Sequence, residues 1–86
     1  MPFLSDAHHA LAIAATSSLR TAALRSDAPP VVVLTSLTVA IKDACSALPD
    51  EAQYPLKMRR ALVLARRMQS MLQWRVDQAA GARLRD

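Results

Sequence analysis

Between Pro55 and Ala80, apolar and polar positions alternate with the period of an α-helix. Met58, Ala61, Ala65, Met68, Leu72, Val76 and Ala79 recur at steps of three or four, widened on one shoulder by Leu64 and Met71. That spacing aligns them along one side of a helix. Arg59, Arg60, Arg66 and Arg67 fall outside the stripe. At 1.5 Å per residue such a helix is about 39 Å long, so the remaining segments are expected to pack along it.

The upstream pattern predicts two more helices. Ser5 or Asp6 offers a short oxygen side chain to cap free amides, and a helix is expected from there to about Arg25. Leu4, Leu11, Ala15, Leu19 and Ala22 mark its inward face, while Ile13 and Leu24 lie nearly opposite with Arg20 beside them. A helix apolar on two sides either sits between two neighbours or turns one side to another subunit. Ser26-Asp27-Ala28-Pro29-Pro30 then breaks the chain, because a residue that precedes proline avoids helical angles. Pro30 suits the first turn of the next helix, where its missing amide is not needed.

The run Val31-Val32-Val33-Leu34 has strand propensity. Leu34, Leu37, Ile41, Ala44 and Leu48 nevertheless continue at helical steps, and a lone strand would have no partner. β-Branched residues cost a few tenths of a kcal/mol each in a helix, less than burial of that stripe returns. Leu48-Pro49-Asp50-Glu51 ends the second helix, with Asp50 and Glu51 favouring a short turn. Tyr54-Pro55 punctuates again, and Gly81 is the expected C-cap of the third helix. The expected fold is all-α: an antiparallel three-helix bundle with helices near 6–25, 30–48 and 55–80, the third the longest. It forms a single domain over 1–86, frayed near 1–4 and 82–86.

Composition supports this reading. The chain is 52% hydrophobic, which excludes disorder, but only 3% aromatic, so Ala, Leu, Val and Met must build the core. One glycine cannot supply the tight turns of an all-β fold. Charge is unevenly placed. Residues 1–54 carry Arg20, Arg25 and Lys42 against Asp6, Asp27, Asp43, Asp50 and Glu51, a net −2. Residues 55–86 carry Lys57 and seven arginines against Asp77 and Asp86, a net +6. The basic last third points to an anionic partner or to attraction between helices.

Candidate chemistry is sparse. Cys45 is the only cysteine, so there is no intrachain disulfide framework, and a reducing compartment is expected. A nucleophilic role for Cys45 would need a histidine partner and an electropositive setting. His8 and His9 point about 100° apart on a helix and do not converge on a metal. There is no phosphate-binding glycine loop and no paired carboxylates at a catalytic spacing. No enzyme activity, cofactor, metal or small-molecule substrate is expected. No Lys or Arg precedes Arg20, unlike a signal peptide, and no apolar run approaches a membrane span. The expectation is a soluble cytoplasmic protein without a membrane partner; the Arg and Ala bias is associated with bacterial or phage genomes.

The informative surface is the back of the third helix. Arg59, Val63, Arg66, Arg67, Ser70 and Trp74 project to one side, with Leu56 above and Asp77 below. Tryptophan flanked by arginine has the composition of an interaction hot spot. Arg59, Val63, Arg66, Arg67 and Trp74 are therefore the expected partner-binding residues, unless another helix of the bundle covers this side. The favoured function is a small non-enzymatic helical module (adaptor, inhibitor, antiactivator or secretion-chaperone type) that binds an acidic protein partner. An overhang of the long third helix further predicts a homodimer or a complex. The alternative is a nucleic-acid-binding regulator using the same arginines, although no helix-turn-helix spacing is evident. A third reading is a subunit of an enzyme complex with no chemistry of its own.

Overall fold

The computed structural model describes residues 6–25 and 27–85, with side chains through residue 81. The lead-in at 1–4, the alternative cap Ser5, and Ser26 and Asp86 lie outside the described residues. Three α-helices follow in order: α1 (Asp6–Ala23), α2 (Pro30–Ala47) and α3 (Leu56–Arg85). A 3-10 turn, Glu51–Gln53, joins the last two. All three helix pairs are in contact, and among the described residues there is no strand.

Local chemistry explains each junction. Pro29 takes an extended conformation and its carbonyl receives the amides of Val32 and Val33, at 3.0 and 3.1 Å. Pro30 opens α2 and has no amide to leave unpaired. The valine run that follows is helical. Thr35 and Thr38 donate their hydroxyls to the carbonyls of Val31 and Leu34, so neither is left unsatisfied on an apolar helix. At the far end, the Leu48 amide returns to the Ala44 carbonyl. The Asp50 carboxylate then accepts the Ala52 amide at 3.2 Å and starts the 3-10 turn. Tyr54 closes the connection: it is buried, and its hydroxyl donates to the Leu48 carbonyl.

Consecutive helices are antiparallel. The start of α2 (Pro30, Val31) lies beside Val76, Ala79 and Ala80 of α3, whereas its C-terminal Leu48 is held by Tyr54 just before α3 begins. Midway, Gln69 of α3 donates to the Thr38 hydroxyl of α2 at 3.1 Å.

Leu19, Leu37 and Met58, one from each helix, are the largest fully enclosed side chains. Burial of each contributes about 1.5–3 kcal/mol. Among the described residues alanine makes up six of the fourteen in the core (Ala12, Ala22, Ala23, Ala44, Ala61 and Ala65), which lets the helix axes approach closely. The bundle is thin as a result, measuring 58 × 23 × 17 Å. Its radius of gyration is 15.1 Å, against about 12 Å for a compact domain of this length. A thin bundle covers little of its own surface, and many large apolar side chains stay exposed. The α2 helix shows this well: its mean hydropathy is 1.4 over eighteen residues, yet only Val33, Leu37 and Ala44 of them are buried, and Val31, Val32 and Val39 are exposed.

Several expected details differ. Gly81 does not cap α3. The helix continues to Arg85, and no glycine has positive φ. The neighbouring Ala79, Ala80 and Ala82 are the strongest helix formers and offset the cost of one glycine. Asp6 is helical and lies in the first turn of α1 rather than outside it as a cap. The inward face of α1 is Ala12, Leu19, Ala22 and Ala23, with Ala15 half-buried and Leu11 exposed. Leu11 lies about 80° from Leu19 around the helix, and the small residues between them allow a closer approach than Leu11 would. On α3 the stripe from Met58 to Leu72 faces inward, joined by the unanticipated Leu62, but Ala79, beside the first turn of α2, is exposed.

Candidate interaction surface

With one side of α3 given to the core, its opposite side is solvent. Leu56, Arg60, Val63, Arg67 and Trp74 project there within about 60° of arc. Leu56 is 60% exposed, Val63 48% and Trp74 63%. Large apolar groups thus alternate with guanidinium groups along one ridge. Met71 and Leu64, both more than two-fifths exposed, widen it on one shoulder. Neither α1 nor α2 covers this ridge.

The five expected contact residues separate into two groups. Val63, Arg67 and Trp74 lie on the open ridge. Arg59 and Arg66 lie on its flank and turn toward the α2–α3 connection. Arg59 Nη2 donates to the Ala52 carbonyl at 2.6 Å. Arg66 Nη2 donates to Glu51 Oε1, also at 2.6 Å, and the pair is about half exposed. These two arginines pin the 3-10 turn against α3. The hydrogen bond from Arg66, backed by its charge, holds the Glu51 carboxyl below the ordinary carboxylate range. The same bond raises the affinity of Arg66 for its proton. Close by, burial pushes the Tyr54 phenol up to about 12, with Cys45 and Glu51 adding to the effect.

Sequence reasoning left Arg60 out of the contact set, although a helical projection places it only about 40° from Trp74. It also stopped short of joining Ile13 and Leu24 to this surface. Both are exposed, at 60% and 73%, and line a groove between α1 and the start of α3. The signal was present as an apolar pair opposite the inward face of α1, but only coordinates reveal which helix it borders.

Cys45 is half-buried, and its thiol lies 3.8 Å from Glu51 Oε1. His8 and His9 are on the surface of α1. Among the described residues no three His, Cys, Asp or Glu side chains converge as a metal site. Comparison with known proteins finds no matching family model and no significant match among curated proteins or solved structures.

Proposed function

We propose that the chain is a non-enzymatic helical protein-binding module that presents the open ridge of α3 to an acidic protein partner. It would act as an adaptor, inhibitor, antiactivator or secretion-type chaperone. One observation carries the reading: Trp74, 63% exposed, shares an uncovered helix side with Val63 and Arg67. Isolated exposed apolar groups are ordinary, but a row of them at helical spacing is a mark of contact surfaces. Trp and Arg are the residue types most enriched among those that dominate binding energy. In this role Trp74 anchors, Val63 and Leu56 exclude water beside it, and Arg60 and Arg67 speed encounter with carboxylates. Arg59 and Arg66 act indirectly by holding the connection that sets where α3 begins.

The test is co-purification from the native cell to identify the partner, then titration of that purified partner against a variant carrying Trp74→Ala and Arg67→Glu. Binding weakened at least tenfold is expected; equal binding overturns the reading. A gel-shift titration with duplex DNA separates the phosphate-binding alternative. Binding that falls steeply with salt, and that Arg60→Glu and Arg67→Glu abolish, would replace the protein partner with nucleic acid.

A further inference from the structure

A groove of about 910 Å³ runs between α1 and the first turns of α3. Its exposed apolar groups are Ile13, Leu24 and Leu56, and its cations are Arg20, Lys57 and Arg60. Among the described residues no carboxylate lines it. It meets the open ridge of α3 at Leu56 and Arg60.

We propose that this groove binds an amphipathic helix bearing acidic residues, supplied by the protein partner. The inference rests on the protein-binding reading above and names the chemistry of the segment that is bound. Three observations lead to it. From Ile13 to Leu24 the groove extends about 16 Å, the length of three helical turns. The described residues offer no strand edge, so an extended peptide would find no ladder for its amides, whereas a helix satisfies its own. Three cations without a carboxylate give the groove one sign of charge, which favours Asp and Glu flanking the apolar stripe of the incoming helix. The same charge disfavours a second copy of this chain. Symmetric pairing through the groove would set Arg20, Lys57 and Arg60 of one protomer against those of the other.

The test selects helix-favouring sixteen-residue peptides from a displayed random library against the intact protein, followed by fluorescence anisotropy of the enriched peptides. Enriched sequences should carry apolar residues at steps of three and four and an excess of Asp and Glu. Their binding should weaken at least tenfold with Ile13→Asp plus Leu24→Asp, and change less than threefold with Trp74→Ala. Ile13 and Leu24 are exposed, so the double variant is expected to fold. Should circular dichroism show that it does not, Arg20→Glu plus Arg60→Glu serves in its place with the same expected loss. Neutral or basic consensus sequences, no enrichment, or peptides indifferent to the groove variants would overturn the inference. So would a concentration-dependent dimer that the groove variants abolish, since the occupant would then be a second copy. If the native partner is lost with Trp74→Ala and Arg67→Glu yet ignores the groove variants, only the groove inference fails. If it ignores both sets, the protein-binding reading fails too.

Discussion

Arg66 Nη2 lies 2.6 Å from Glu51 Oε1, joining the middle of α3 to the 3-10 turn that precedes it. Fifteen residues separate the two in sequence. With Arg59 on the Ala52 carbonyl, the pair orients the long helix relative to the connection that leaves α2. The open ridge of α3 therefore depends on contacts made by the helix's own flank.

The ion pair has a pH signature. The folded Glu51 carboxyl titrates below its ordinary value of 4.5. A depressed carboxylate contributes stability that is present above the unfolded value and is lost as pH falls through the folded one. Glu51→Gln should lower the thermal midpoint slightly at pH 7, and the difference should shrink as the pH is lowered into the acid range. A thermal-melt series across that range checks it; a gap that persists undiminished at pH 3 would show that the charge is not responsible.

Tyr54 gives the opposite sign. Its phenol is pushed up to about 12 by burial, and the neutral form donates to the Leu48 carbonyl. The stability it contributes is full below the unfolded value near 10 and is lost as pH rises through the folded one. The chain has one tyrosine, so phenolate absorbance reports this group alone. Titration should be delayed to near 12 in the folded protein, and Tyr54→Phe should cost about 1–2 kcal/mol by leaving a buried carbonyl unpaired. Ionisation near 10 with the fold intact would show that the hydroxyl reaches water.

Core and ridge substitutions should differ sharply. Leu37→Ala or Leu19→Ala removes a fully enclosed side chain and should cost about 2–5 kcal/mol in urea unfolding. That is a large fraction of the total for a bundle this thin. Trp74→Ala should change stability by no more than about 0.5 kcal/mol, because the indole is mostly in solvent. Equal losses would mean that the ridge is part of the interior.

Gly81 lies inside α3 in a helical conformation, and a Cβ there would meet nothing within 4 Å. Gly81→Ala should therefore raise helicity and stability, by up to about 1 kcal/mol. Far-UV circular dichroism and thermal melts measure both; a destabilised variant would mean that the residue adopts the left-handed conformation of a cap.

The helical architecture was legible from the sequence because its cues are local. Pro29 and Pro30, the Asp50 turn and the steps from Met58 to Leu72 each bias a few adjacent residues, and each placed its element to within a few positions. Trp74 could be set opposite that stripe for the same reason. What escaped was tertiary. The rotation of α1 that buries Ala12 instead of Leu11 follows from how closely two alanine-rich helices approach, which periodicity does not encode. The engagement of Arg59 and Arg66 by the 3-10 turn depends on where the chain returns in space. A helical wheel shows only that they lie toward one flank of the ridge.

Quenching of the single tryptophan by acrylamide, with and without the purified partner, bears most directly on the open ridge of α3. In the isolated protein Trp74 should quench as a largely exposed indole, far more readily than a buried one and independent of protein concentration, and become protected on addition of the partner. Protection already present in the isolated protein, or accessibility unchanged in the complex, would contradict the assignment of this ridge as the contact surface.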